Sequence, residues 1–347
     1  MTVSLGEFND PNYPLYKSLP AGVLRFRDQL NRMISEKIIK LELTLCLCGS
    51  ENFTPISKFD RYRIKQDTVI CESCGLIQSQ PRMTLESSGW FYGSDFYRKL
   101  YSSEVLVDNP NYIISQSKKR FGRFEFVKTN TEYQKIETVL EVGCGGGWNL
   151  YPYYLDGKKV IGFDYSPHLT NLGKKLGMDL RVGNFKENLN KSLGKFDIII
   201  FAHVLEHLND PVGTMRKLGS FLNKNGLIYI EVPDTDFFGI HQLQSAHNYY
   251  FTERTLIHFA AVAGLKPIVI KKKITSTHIG GLFTLQDKVL STSLAGEAAR
   301  MRETITRYVA DKSDKRSLKV FITKVRFTFK RIKKFIKSFI KKVIFRV

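Results

Sequence analysis

From residue 133 onward, short apolar runs alternate with stretches of helical periodicity, and glycines punctuate the boundaries. Apolar runs of four to eight residues bounded by turn formers read as strands. Seven such runs predict strands at 137–142, 159–163, 179–182, 196–202, 226–232, 267–272 and 282–286. Helices fit between most of them, which is the rhythm of βαβ units and of a mainly parallel sheet. A helix over 252–263 precedes the last two strands, which can close the sheet as a hairpin. Nearer the N-terminus, Val23, Leu24, Leu30, Met33, Ile34 and Ile38 recur at helical spacings after a lead rich in Pro, Asn and Tyr. Residues 90–101 mix aromatic and polar residues and read as a helical or irregular connector. No internal repeat is present. The pattern divides the chain into a lead with a short helix (1–40), a cysteine-bearing module (41–85), a helical connector (86–132), an α/β domain (133–290) and a tail (291–347).

Composition agrees with that division. At roughly 150 residues per domain, 347 residues leave room for about two domains. A content of 43% hydrophobic and 25% charged residues is ordinary for a globular chain and excludes a wholly disordered or collagen-like one. The longest apolar stretch, 196–205, is interrupted by Asp197 and His203 and is too short to span a bilayer. The opening MTVSLGEFND has neither a basic n-region nor an apolar h-region, so a cytoplasmic location is expected.

The net charge of +20 first suggests nucleic acid, but its position changes the picture. Residues 315–347 hold 13 Lys or Arg and no acid, and setting those aside lowers the charge of the other 314 residues to +7. Within that tail Leu318, Phe321, Ile322, Val325, Phe329, Ile332, Phe335, Ile336, Phe339, Ile340, Val343 and Val347 fall at steps that form one apolar helical stripe. Lys330, Arg331, Lys333, Lys334, Lys337, Lys341 and Lys342 fill the other face. A basic amphipathic helix of this kind suits an anionic membrane surface, on the inner face of the membrane for a cytoplasmic chain. A solvated tail or a protein partner are the alternatives, and nucleic acid has no obvious use for the stripe.

Two constellations carry chemistry. The first is Glu141-Val142-Gly143-Cys144-Gly145-Gly146-Gly147, which follows an apolar strand and leads into a helix, with Asp164 ending the next strand 21 residues after Gly143. Glycines let the backbone turn sharply and approach a ligand, and a carboxylate at the end of the second strand can accept hydrogen bonds from ribose hydroxyls. The alternative is a purely structural tight turn. A dinucleotide fingerprint requires Gly or Ala where this chain has Trp148, which disfavours a dehydrogenase. Glu141, two residues before the first glycine, can hold a ligand's ammonium group.

This loop resembles motif I of class I S-adenosylmethionine-dependent methyltransferases. The resemblance continues through Phe163-Asp164-Tyr165-Ser166, Phe196-Asp197-Ile198-Ile199, the stretch 202–211, the N-G-L-I-Y-I-E-V-P-D pattern, Tyr250-Phe251-Thr252 and Ala263-Gly264-Leu265, covering about 135–290. It implies a Rossmann-like α/β sheet of seven strands with helices on both faces. It also implies that Glu141, Gly143, Cys144, Gly145 and Gly147 surround the methionine part of the cofactor, with Cys144 itself a small packing residue. Asp164 then binds the ribose and Tyr165 the adenine, with Asn184, Phe185 and His203 completing the cofactor set. Relatives carry an acid where this chain has Asn184.

The second constellation is Cys46-x-Cys48 and Cys71-x-x-Cys74, separated by 22 residues, with Gly49 and Gly75 directly after each pair. Four thiolates suit a structural tetrahedral zinc, with Zn–S bonds of about 2.3 Å; redox or free thiols are the alternative. The segment, with its Cys-Gly-Leu-Ile-Gln-x-x-Pro-Arg stretch, resembles the zinc-binding domain found ahead of certain methyltransferases that act on sugars and related small molecules. Methyl transfer to a hydroxyl also needs a proton acceptor, usually histidine. His247, in the segment that covers the pocket in such enzymes, and His207, after the fourth strand, are the candidates; 203, 206 and 207 have spacings that share one helical face. Ala202-His203-Val204-Leu205 stands where enzymes that methylate nucleic-acid amines carry N/D-P-P-Y/F, so a small polar or saccharide acceptor is expected, taken at oxygen or carbon. A non-catalytic zinc protein that binds nucleic acid or membrane is the rival reading, and it has no use for Glu141, the glycines and Asp164 together.

Overall fold

The computed structural model describes residues 4–10, 19–94, 96–101, 107–183, 185, 193–272, 277–286 and 292–311. The amphipathic stretch 315–347 and Asn184 therefore lie outside the described residues. Helix α1 (Ala21–Ser35) precedes five short strands, β1 (Leu41–Glu42), β2 (Phe53–Phe59), β3 (Lys65–Cys71), β4 (Ile77–Ser79) and β5 (Arg82–Met83). Four helices follow, α2 (Leu85–Gly93), α3 (Phe96–Tyr101), α4 (Asn111–Lys119) and α5 (Phe121–Thr129). The α/β part then runs β6 (Thr138–Val142), α6 (Tyr151–Leu155), β7 (Lys159–Asp164), α7 (Pro167–Lys174), β8 (Asp179–Val182), β9 (Phe196–Ala202), α8 (Pro211–Gly219), β10 (Leu222–Pro233), β11 (Tyr249–Tyr250), α9 (Glu253–Val262), β12 (Leu265–Lys272) and β13 (His278–Leu285).

Seven of these strands form one sheet in the order β12-β13-β10-β9-β6-β7-β8. Strands β10, β9, β6, β7 and β8 pair in parallel, and β13 runs antiparallel between β10 and β12. The closing pair is a hairpin, as its sequence predicts. The order reverses between β6 and β9, so a crevice opens above the carboxyl ends of those strands, where ligands bind in such sheets. Side chains alternate between the two faces. Val139, Ile198 and Ile200 pack with Ile113 of α4 and with Phe124 and Phe126 of α5, while Leu140, Ile199 and Phe201 pack with Met215 of α8 and Phe259 of α9. The second half of the connector thus supplies one helical layer of the Rossmann-like domain.

The N-terminal strands β4, β3 and β2 form a second sheet, completed by β11 from the far side of the α/β domain. Tyr249 and Tyr250 lie opposite Gln78 and Ile77. Ser79 adds an Oγ bond of 2.7 Å to the His247 carbonyl and an N–H bond of 3.0 Å to that of Asn248. The cysteine module is therefore built into the same body as the large sheet. Residues 297–311 are helical, and Met301 and Ile305 pack against Phe8, Ile56, Ile77 and Tyr250. Among the described residues no helix is long and apolar enough to cross a membrane.

Gly75 joins the knuckle to that last helix. Its φ is +75°, and a Cβ there would stand 2.7 Å from the backbone of Glu297 and Ala298. Gly75→Ala combines a left-handed backbone with a steric overlap, so a loss of about 2–5 kcal/mol is expected, read as a lower denaturant midpoint. An unchanged midpoint would show that the helix at 297–311 does not press on the knuckle.

Candidate functional site

The glycine loop turns as its spacing requires. Gly143, Gly145 and Gly147 have φ of +71°, +56° and +80°. A Cβ on Gly143 would meet Val204 at 2.4 Å, and one on Gly145 would meet the Trp148 ring at 2.2 Å. The bulky Trp148 thus supports the loop from within. The Gly145 N–H donates to Asp164 Oδ2 at 2.8 Å, and Ser166 N–H to Oδ1 at 2.8 Å. Arg98 of α3 reaches the same carboxylate at 3.0 Å from above.

These groups border a cavity of about 750 Å³ over the carboxyl ends of β6, β7 and β9. Gly143, Gly145, Asp164, Tyr165, Phe185, His203 and His207 line it. Glu141, Cys144, Gly147 and His247 lie behind its wall. Cys144 is fully buried, with its sulfur close to Gly162, a packing position. Glu141 is also fully buried. Its Oε1 accepts from Asn149 Nδ2 at 2.6 Å, and Oε2 has no partner. Burial pushes its carboxyl up to about 8, against the opposing pull of the Asn149 hydrogen bond and the Arg123 charge. Asn149 lines the cavity, so Glu141 reaches the ligand space through it. The roof comes from α2 and α3, which contribute Tyr92, Tyr97, Arg98 and Tyr101, and from Arg120, whose guanidinium stands 5.0 Å from the Trp148 ring.

Beside the glycine loop, where Val204 packs on Gly143, runs a buried chain of charges. Arg123 donates to Glu231 Oε1 at 2.6 Å, and both are at least nine-tenths buried. His203 Nε2 meets Glu231 Oε1 at 3.0 Å while its Nδ1 meets Glu206 Oε1 at 3.3 Å. Burial alone would lower the His203 pKa, but the hydrogen bonds it donates to both carboxylates raise it above the ordinary value. Burial would raise Glu206, yet the His203 hydrogen bond and the nearby imidazoles bring it to about 2. The expected single helical face for 203, 206 and 207 does not form. Residues Leu205–His207 make a 3-10 turn and His203 precedes it at φ +56°, a strained value for a non-glycine residue. The turn still brings both histidines to Glu206.

His207 Nδ1 donates to the Ala246 carbonyl at 2.8 Å. His247 packs behind it with ring centroids 4.9 Å apart and takes its polar contact from Gln244 at 2.8 Å. Burial pushes the pKa of each below the usual histidine value, that of His247 well below. The four cysteines also come together. Cys46 and Cys74 sulfurs are 3.5 Å apart, Cys48 and Cys71 sulfurs 3.6 Å, and all four lie within 4.8 Å of one another. A tetrahedron with bonds of about 2.3 Å has edges of about 3.8 Å, so the set fits one zinc ion. Gly49 and Gly75 take left-handed φ after each pair, and their N–H groups bond back to the Cys46 and Cys71 carbonyls.

Arg98, Arg120, Arg123, Glu231 and His278 belong to the site and were missed in the sequence. Arg98 and Arg123 sit on connector helices and Arg120 at the junction of α4 and α5, with no motif. Glu231 does stand in the N-G-L-I-Y-I-E-V-P-D pattern, and an acid inside an apolar strand is a signal that could have found it.

Comparison with known proteins places this geometry. Residues 108–269 match a family model described as a methyltransferase domain. A ubiquinone biosynthesis O-methyltransferase from Pelagibacter ubique is 32% identical over 110 residues, 30% of this chain and 45% of that protein. A tRNA U34 carboxymethyltransferase from Campylobacter lari is 24% identical over 212 residues, 59% of this chain and 64% of that one. The chain spans about half the length of the ubiquinone enzymes it matches. Among solved structures, the CcbJ methyltransferase from Streptomyces caelestis aligns over 48% of this chain and 90% of its own, with 15% identity and a TM-score of 0.40.

The Arg123–Glu231 pair can be tested directly. Arg123→Met leaves a buried carboxylate without its guanidinium, with an expected cost of about 3–5 kcal/mol. Adding Glu231→Leu should recover part of that loss in denaturant unfolding. Equal stability of wild type and Arg123→Met would mean the pair carries no structural weight.

Proposed function

We propose that the chain, whose residues 108–269 match a methyltransferase-domain model, moves a methyl group from S-adenosylmethionine to an oxygen, or a carbon, of a sugar or other small molecule. The observation that carries this reading is the joint placement of the glycine loop and Asp164 at one end of the cavity, with the histidine–glutamate cluster at the other. When bound, S-adenosylmethionine supplies a methyl made electrophilic by its sulfonium. Asp164, already fixed by the Gly145 and Ser166 amides, would take the ribose hydroxyls. Tyr165 and Phe185 offer apolar surface to the adenine. Glu141 has a buried carboxylate oxygen without a partner, which fits an ammonium group relayed or approached through Asn149.

The chain's part in the transfer is alignment and exclusion of water, since in-line attack needs the reacting atoms about 3 Å apart. An acceptor hydroxyl must lose its proton as the bond to carbon forms. His207 faces the cavity with His247 at its back, and their lowered pKa values keep neutral lone pairs there at neutral pH. The roof of tyrosines and arginines suits a polar acceptor rich in hydroxyl or anionic groups. A structural zinc held by Cys46, Cys48, Cys71 and Cys74 would secure the module that carries β4. All four positions are protein sulfurs, which leaves none for substrate. The tail at 315–347 extends the proposal to an anionic membrane surface and hence to a membrane-attached acceptor such as a lipid-linked saccharide.

Calorimetric titration with S-adenosylhomocysteine tests the cofactor site. Micromolar binding is expected, weakened tenfold or more by Asp164→Ala, or about 1.4 kcal/mol. Repeating the titration at pH 7 in buffers of different ionisation heat should reveal a released proton. Glu141 sits near 8 before binding, so it is largely protonated at pH 7, and an arriving ammonium lowers it and expels the proton. Glu141→Gln should abolish the release. Absence of binding to folded wild type would overturn the methyltransferase reading. Co-sedimentation with anionic vesicles tests the tail, and binding that survives deletion of 315–347 would remove the membrane from the proposal.

A further inference from the structure

The two histidine clusters at the acceptor end differ in one respect. In the first, His203 and His278 contact Glu231, but Arg123 and Tyr229 also donate to that carboxylate, so its oxygens are fully engaged. The second, Glu206 with His207 and His247, is not closed in this way. One ligand atom from each residue lies within 4.8 Å of the others, and His207 Nε2 approaches Glu206 at Oε1. Glu206 is 1% exposed and its Oε2 has no hydrogen-bond partner; His247 is 3% exposed and its Nδ1 has none. Two buried polar atoms without partners in one cluster are costly unless something else meets them.

Their surroundings say what would. A histidine that ligates a metal has its other ring nitrogen fixed by a carbonyl, amide or carboxylate. His207 Nδ1 is fixed by the Ala246 carbonyl at 2.8 Å, leaving Nε2, which stands 3.9 Å from Glu206 Oε1. His247 Nε2 is fixed by the Gln244 side-chain amide at 2.8 Å, leaving Nδ1. Turning that amide by 180° presents to the imidazole an oxygen that otherwise has no partner of its own. Glu206 Oε1 is steadied by His203, leaving Oε2. Each residue thus has one atom anchored and one atom free.

We propose that Glu206, His207 and His247 form a binding site for a divalent transition-metal ion of the zinc or iron(II) type. Two imidazoles and one carboxylate are a common ligand set for such ions, and three protein ligands leave a position open. His207 lies on the cavity wall, so the open position faces the acceptor space. A hydroxyl or carboxylate oxygen of the acceptor could enter it, which favours acceptors with oxygen donors. The site is separate from the cysteine cluster in ligands and in place. It shares the acceptor end with the preceding reading but uses the His207 Nε2 lone pair as a ligand. With the ion bound, the metal replaces that imidazole in activating an acceptor hydroxyl, whose proton leaves to water.

The test uses the full chain with zinc in the cysteine site, titrated with cobalt(II). One further cobalt per chain is expected, retained through gel filtration and visible as weak d–d absorption without sulfur-to-metal charge transfer. Glu206→Gln and His247→Ala should each weaken cobalt binding at least tenfold, while His258→Ala, on α9 and hydrogen-bonded to Thr292, should not. S-adenosylhomocysteine binding by each variant reports that it is folded. The proposal is overturned if wild type takes up no cobalt beyond the cysteine site, or if the folded Glu206 and His247 variants bind it as wild type does. Loss of S-adenosylhomocysteine binding by wild type would instead sink the methyltransferase reading and leave the metal result standing.

Discussion

The buried carboxylate of Glu231 is the constraint on which the rest of the site depends. It sits in the middle of the sheet on β10, where an isolated charge would cost several kcal/mol. Arg123 from α5, Tyr229 from its own strand, and His203 and His278 from neighbouring segments all converge on it. Satisfying this one group therefore pins a connector helix, the turn after β9 and the start of β13 to a common point. His203 adopts its strained backbone because it bridges Glu231 and Glu206, so the strain at +56° is matched by two hydrogen bonds. Through Asn149, Arg123 also steadies the acid beneath the glycine loop. One charge network thus runs from the cofactor end of the cavity to the acceptor end.

A second coupling is mechanical. The segment that carries His247 leads into β11, and β11 is an edge strand of the cysteine module's sheet rather than of the large one. Ser79 holds the His247 backbone through its hydroxyl. A knuckle that orders β3 and β4 consequently orders the acceptor end as well. The four-cysteine cluster thus stands at the base of a sheet that holds the backbone of the His247 segment. The pressure of Gly75 against residues 297–311 extends the same anchor to the last described helix.

How much of this was legible depends on whether the signal is local. Strands β8 and β9 match their expected limits to the residue, and the others lie within a few residues, because buried parallel strands write continuous apolar runs between turn formers. The glycine loop and Asp164 were legible because left-handed backbone and close approach admit few residue types. The cysteine pairs were legible for the same reason. By contrast, β11 is two residues long, and its partner lies 171 residues away in sequence, Tyr249 against Gln78. No local pattern announces such pairing. Arg98, Arg120 and Arg123 looked like ordinary charges on amphipathic helices, and only the packing of those helices turns them toward the cavity. The shared helical face for His203, Glu206 and His207 was inferred from spacing alone. The requirement to reach two carboxylates overrode it and produced a strained residue and a short turn instead.

The two ends of the cavity answer to different demands. The cofactor end is made mostly of backbone and short side chains on β6, β7 and their loops, all inside residues 108–269. The rest of the lining combines His203 and His207 from the matched segment with parts outside it. Tyr92, Tyr97 and Arg98 come from before it, His278 from after it, and the positioning of His247 comes from the cysteine module. A change in α3 would reach the glycine-loop side of the cavity as well, because Arg98 holds the Asp164 carboxylate.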